Sequence, residues 1–183
     1  MDEYFKNKFR VPSTRLQAWD YSWPAMYYVT ICTKDRACCL GEIKDDQIYL
    51  SQIGKVVFEE WLNTPKIRPN VALDDFIIMP NHIHGIVVIK DVGDVVETHS
   101  YASLPRNTFG PQRRNLASII RGFKATCKRN IDLKFKNLDF HWQNNYYEHI
   151  IRDQDDYGRI KKYIATNPIN WPKDENNPIN IKK

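Results

Sequence analysis

The sequence predicts a single α/β (α+β) domain in which elements follow the order strand, helix, two strands, helix, strand, helix. Three observations carry this expectation. Met26-Tyr27-Tyr28-Val29-Thr30-Ile31-Cys32-Thr33 is crowded with aromatic and β-branched residues, the composition that fits a pleated, half-buried surface. Apolar residues recur at helical spacing in two segments, Ile53, Val56, Val57 and Trp61, then Leu116, Ile119, Ile120, Phe123 and Cys127. Between them, Met79-Pro80-Asn81-His82-Ile83-His84-Gly85 runs directly into Ile86-Val87-Val88-Ile89.

The chain has 183 residues, enough for one domain with a proper core over 1–183 and little room for two. No apolar run approaches the roughly 20 residues of a membrane span. The start, Met1-Asp2-Glu3-Tyr4-Phe5-Lys6, lacks the apolar core of a secretory signal, so a cytoplasmic protein is expected. Cys32, Cys38, Cys39 and Cys127 form no Cys-x-x-Cys pair and read as small buried residues or bystanders. A formal net charge of +5 is compatible with nucleic acid and with an ordinary surface alike.

Taken in order, residues 1–18 set Lys6, Lys8, Arg10 and Arg15 around Pro12 without periodicity. Either a frayed terminus or a basic arm touching a phosphate backbone accounts for them. Asp20-Tyr21-Ser22-Trp23-Pro24 is a turn into the first strand. Leu40 to Leu50 forms a hairpin-like connection with Lys44-Asp45-Asp46 at its tip. Ser51 caps a helix expected to reach about Asn63 and to end at Pro65. Val71 to Met79 is a strand broken by Asp74-Asp75 and turned at Pro80-Asn81, so it pairs with the histidine strand that follows. Residues 91–112 lose all pattern and are expected to be a flexible loop, with His99 exposed in it. Arg113 to Arg129 is a helix whose non-apolar faces carry Arg113, Arg114, Arg121, Lys124, Lys128 and Arg129 and no acid. A soluble basic helix and a DNA-facing one both fit, although a solvated face usually mixes signs. Leu138 to Gln143 turns into a strand at Tyr146–Ile151, whose aromatics are expected at a sheet core or edge before base stacking. Asp153 caps a last helix from Gln154 to Thr166, stopped by Asn167-Pro168, and the tail from Trp171 is expected to be a polar wrap over the surface.

His82 and His84 are one residue apart on a strand and therefore project to the same face. Hydrogen-bonded histidines are the plainer reading of such a pair alone; the other is a grip on a divalent cation. Tyr163 and Asn167 lie four apart, on one face of the last helix. A tyrosine hydroxyl is an oxygen nucleophile and an asparagine carbonyl a hard, neutral metal ligand. Laid across the histidine strand, that helix would bring both to one ion. From the donor types alone Mn²⁺ and Zn²⁺ are equally arguable.

This combination resembles the HUH-type single-tyrosine transposases, in their repeat-associated tyrosine transposase (IS200-like) branch. The matching blocks run along nearly the whole chain: Tyr21-Ser22 with Tyr27 to Thr33; Met79 to Gly85 as the HUH signature; Trp142-Gln143 and Tyr146-Tyr147-Glu148-His149-Ile150-Ile151-Arg152; and Tyr163-Ile164 with Asn167-Pro168 and Trp171. The resemblance implies a ferredoxin-like sandwich with a mainly antiparallel central sheet carrying the HUH pair. It implies Tyr163 as the catalytic nucleophile, His82, His84 and Asn167 as metal ligands, Mg²⁺ or Mn²⁺ as the ion, and single-stranded or hairpin DNA as the partner of a monomer or homodimer. Cleavage would pass through a 5′-phosphotyrosine, and Arg121, Lys124 and Lys128, with Arg113 and Arg114, would contact the DNA. Two other classes stay open: a domesticated DNA-binding module without transposition activity, and a hydrolytic metalloenzyme in which Tyr163 is structural.

Overall fold

The computed structural model describes residues 19–91, 115–136 and 138–180, with the backbone alone of two short strands near the N-terminus. Those two, β1 (Tyr4–Phe5) and β2 (Lys8–Phe9), pair antiparallel. The rest of the 1–18 arm, the 92–112 part of the expected loop, and Arg113 and Arg114 lie outside the described residues.

The central sheet is built from β3 (Ala25–Cys32), β6 (Val71–Ile78), β7 (His82–Ile89) and β8 (Tyr147–Ile151). Its order is β6-β7-β3-β8 and every neighbouring pair is antiparallel. β4 (Gly41–Lys44) and β5 (Gln47–Leu50) form the separate hairpin, turned at Asp45-Asp46, both of which have positive φ. α1 (Gln52–Ile67) joins β5 to β6, α2 (Leu116–Lys134) lies between β7 and β8 in sequence, and α3 (Gln154–Asn170) follows β8. Strand, helix, strand, strand, helix, strand, with the first and third strands central, is the ferredoxin-like arrangement that the resemblance implies.

Side-chain alternation decides which face does what. On β3 and β7 the odd-numbered residues Tyr27, Val29, Ile31, Ile83, Val87 and Ile89 are buried against α1 and α2. Burial of such side chains stabilises by about 1.5–3 kcal/mol each. Gly85 belongs to that row, and here the missing side chain matters: a Cβ would sit 2.6 Å from Trp61 Cζ2. Trp61 can therefore approach the sheet at Gly85 while it meets Phe123 of α2 edge-on, with ring centroids 5.0 Å apart. The even-numbered residues Tyr28, Thr30, His82, His84 and Ile86 face the other way. There Ile160 and Ile164 of α3 cover Tyr28 and Ile86 in a small second cluster.

β6 supplies the anchor for α3. Its register shifts between Leu73 and Phe76, at the predicted break. The two carboxylates there engage α3: Tyr157 Oη donates to Asp74 Oδ2 at 2.6 Å and Lys161 Nζ lies 3.2 Å from Asp75 Oδ2.

Three expectations need correction. α1 does not end at Pro65 but runs to Ile67, and α3 passes through Asn167-Pro168 to Asn170. Each proline lies in a final turn, where it forfeits one ladder bond with little helix left to disrupt. Burial of Thr64 in α1 and of Asn167 and Pro168 in α3 holds these turns helical. The tail is not only a surface wrap, because Asp174, Asn176 and Asn177 are buried. Of the cysteines, Cys127 is in the core and Cys38 is exposed, and no disulfide forms among the described residues.

A candidate metal and nucleophile site

The two imidazoles stand side by side on β7, with Nε2 of His82 and Nε2 of His84 2.9 Å apart. Two ligands held at right angles by bonds of about 2.1 Å would be about 3 Å apart. Metal-free, two lone pairs at this distance repel unless a proton lies between them; a shared cation removes that conflict.

Each ring is held by a partner on its other nitrogen. Asn81 donates through Nδ2 to Arg36 O (2.9 Å) and Asn176 O (2.8 Å). Its Oδ1 is therefore the acceptor facing His82 Nδ1 at 2.8 Å. That fixes His82 as the Nδ1–H tautomer and frees Nε2 as a lone pair, the arrangement typical of a ligating histidine. His84 Nδ1 lies 2.7 Å from Tyr28 Oη and 2.9 Å from Thr30 Oγ1, across the Thr30–His84 register of β3 and β7. Both rings are neutral at physiological pH. Burial holds His82 down to about 3, with the Arg36 charge adding to the effect. Burial and the neighbouring His82 hold His84 well below the usual histidine range, against the pull of Asp174.

The third donor comes from the tail. Oδ2 of Asp174 is 4.0 Å from His82 Nε2, and one ligand atom each from His82, His84 and Asp174 lie within 4.8 Å of one another. The 3₁₀ turn Trp171–Lys173 after α3 swings the chain back over the sheet, where Trp171 packs against His82. The Asn176 backbone N–H donates to Asp174 Oδ1 at 2.6 Å, leaving Oδ2 for the histidines. Arg36 Nη1 ties the same tail down, donating to Asn176 Oδ1 at 2.6 Å. Asp174 was not among the expected ligands. It lies 90 residues beyond His84, in a segment whose composition reads as polar covering, and no spacing rule ties the two together.

Asn167 is buried, and among the described residues neither Oδ1 nor Nδ2 makes a hydrogen bond of ordinary geometry, although the amide lies close enough to the Tyr163 hydroxyl to lower its pKa. Such an orphaned amide costs about 1–3 kcal/mol, which a cation would offset. Two imidazoles and a carboxylate form a donor set that fits a divalent ion, and the Asp174 oxygen shifts its balance toward harder ions such as Mg²⁺ and Mn²⁺.

Tyr163 stands beside this cluster in the same chain. Its ring centroid is 5.1 Å from that of His84 and 6.3 Å from that of Tyr28, and the residue is 41% exposed. Burial of its phenol and then the Asp174 charge raise its pKa, offset in part by the Asn167 amide. Tyr28, which also lines the site, is more buried than Tyr163 and is pushed up strongly by that burial.

Tyr163 and His84 line a cleft of about 1260 Å³ whose opposite wall is α2. Arg121, Lys124 and Lys128 all reach it, in different states. Lys124 Nζ donates to Gln143 O (2.7 Å) and Asn145 O (3.0 Å), and burial lowers its pKa to about 8. It braces the loop before β8. Lys128 pairs with Asp132 at 2.7 Å, while Arg121 is exposed. No helix among the described residues is long and apolar enough to cross a membrane.

No family model matches the chain. A protein of Haemophilus influenzae, itself uncharacterised, is 38% identical over 169 residues, covering 89% of this chain and 91% of its own length. Among solved structures, a REP-associated tyrosine transposase bound to a REP hairpin superposes with a TM-score of 0.58 at 18% identity, over 86% of this chain and 73% of that one. At that identity the likeness is one of fold, and it agrees with the family resemblance carried by the sequence blocks.

Proposed function

For a chain that belongs to one family with the Haemophilus influenzae protein and carries the fold of a REP-associated tyrosine transposase, we propose a metal-dependent HUH single-tyrosine transposase or endonuclease acting on single-stranded or hairpin DNA. The observation that carries this reading is Tyr163 beside His84, in one cleft walled by a basic helix.

In this reading His82, His84, Asp174 and Asn167 hold Mg²⁺ or Mn²⁺. When bound, the ion polarises the scissile phosphate and offsets charge in the transition state. Tyr163 Oη attacks phosphorus in line, forming the Oη–P bond as the P–O3′ bond breaks. The phenolic proton passes to water, and the departing oxygen leaves as a 3′-hydroxyl by taking one up. The resulting 5′-phosphotyrosine keeps the energy of the broken linkage, so a second 3′-hydroxyl can reseal the strand without ATP. Arg121 and Lys128, with Arg113 and Arg114 just before α2, take the DNA backbone. Lys124 contributes by fixing the cleft wall. Tyr163 lies beside His84 of its own chain, which supports action in cis.

The test is to incubate the protein with labelled single-stranded and hairpin oligonucleotides and Mn²⁺ or Mg²⁺, then separate products under denaturing conditions. A protein–DNA adduct is expected for the wild type and none for Tyr163→Phe; an adduct that persists in the variant overturns the assignment. Metal-dependent nicking without an adduct would indicate hydrolysis, and tight binding without cleavage a DNA-binding module.

A further inference from the structure

Two adjacent tyrosines at the start of β8 are used differently by the fold. Tyr146, just before the strand, is packed against the main core with Lys124 Nζ 5.9 Å from its ring. Tyr147 faces the other way, opposite Thr30 in register, and is 53% exposed within the same cleft as Tyr163. Among the described residues its ring makes an edge contact with Tyr28, at 6.2 Å between centroids. Tyr28 makes a similar contact with Tyr163 at 6.3 Å. His84, Thr30 and Tyr147 thus form one row across β7, β3 and β8, placing Tyr147 two strand spacings, about 9.5 Å, from His84. Next along β8 on this face, His149 is held by Asp156 Oδ2 at 2.6 Å from its Nε2, and Asp156 is itself paired with Arg159 of α3.

We propose that Tyr147 is a stacking platform for a nucleobase, forming with His149 a subsite for the nucleotide flanking the phosphate presented to Tyr163. A half-exposed ring on the floor of a cleft walled by cations suits an unpaired base, because every base has a π-face and the backbone is drawn to the basic wall. The Asp156-bound imidazole offers a polar edge beside that ring. The subsite rests on the DNA reading of the cleft but not on cleavage.

The experiment uses the full chain with Tyr163→Phe, so that binding is read without chemistry, and single-stranded oligonucleotides carrying 2-aminopurine at successive positions. Fluorescence is expected to be quenched strongly at one position, equally in Tyr147→Phe. Tyr147→Val keeps strand propensity and removes the ring; it is expected to abolish that quench and weaken binding about 5- to 160-fold. An abasic nucleotide at the quenched position should weaken binding in the Tyr147 protein and have little effect in Tyr147→Val. If Tyr147→Val melts at the wild-type temperature and keeps both quench and affinity, the subsite is refuted while the DNA reading stands. If no oligonucleotide binds any of these proteins, the DNA reading fails and the subsite with it. An adduct assay on the unaltered chain reports separately on the tyrosine chemistry.

Discussion

Asp174→Asn isolates the one ligand that the tail supplies. The amide is nearly isosteric and keeps an oxygen for the Asn176 N–H, so the tail should stay folded. What it loses is a full negative charge whose Oδ2 lies 4.0 Å from His82 Nε2. At a nominal distance of about 4 Å between a unit negative charge and a divalent ion, the attraction is about 8 kcal/mol at an effective dielectric of about 20. The carboxylate's larger desolvation cost, several kcal/mol, cancels most of the difference and leaves about 3 kcal/mol, or about 100-fold in affinity. Mn²⁺ titration by calorimetry reads this directly. Thermal melting reads it again: at an ion concentration 1000 times the wild-type Kd, the wild type gains about 4.1 kcal/mol and the variant only about 1.4. An affinity within threefold of wild type, with His84→Ala abolishing binding in the same titration, would remove Asp174 from the ligand set and break the link between tail and site.

Further predictions concern the same site from other sides. Asn167→Leu removes a buried amide that makes no ordinary hydrogen bond among the described residues; it should stabilise the metal-free protein by about 1–2 kcal/mol while lowering Mn²⁺ affinity, and a loss of metal-free stability by urea unfolding would contradict this. In chelator, stability should fall as pH drops. His82 has a folded pKa of about 3 and an ordinary value near 6.5, so between the two the unfolded chain binds more protons. Its contribution is complete above pH 6.5 and is lost toward pH 3, with a ceiling of about 5 kcal/mol. His84 acts in the same direction. Urea unfolding from pH 7 to 4.5 should show this slope, and a His82→Gln, His84→Gln variant should flatten it; equal slopes would refute the neutral-pair assignment.

Much of the architecture was legible before any coordinates. Period-two alternation placed His82 and His84 on one face, the apolar stripe from Leu116 to Cys127 defined the buried side of α2, and Asp74-Asp75 marked the irregularity in β6. Those signals are local: they depend on which residues lie two, three or four positions apart, and backbone geometry converts spacing into facing. Local rules also erred where packing overrode them, as when Pro65 and Pro168 were absorbed into final turns. The approach of Tyr163 to His84 could be drawn from the sequence only as a hope that the last helix crosses the right strand. Its position follows from Ile160 and Ile164 seating on Tyr28 and Ile86 and from the Asp74–Tyr157 bond. Asp174 was beyond reach altogether, since its role depends on a 3₁₀ turn at Trp171 and on Asn81, Arg36 and Asn176 tying the tail to the sheet. The sequence by itself determined the faces of the elements and the chemical types present. Which of those groups meet was decided by tertiary structure alone, because convergence of residues 90 positions apart depends on how helices dock, and docking energy is spread over many contacts that no short spacing encodes.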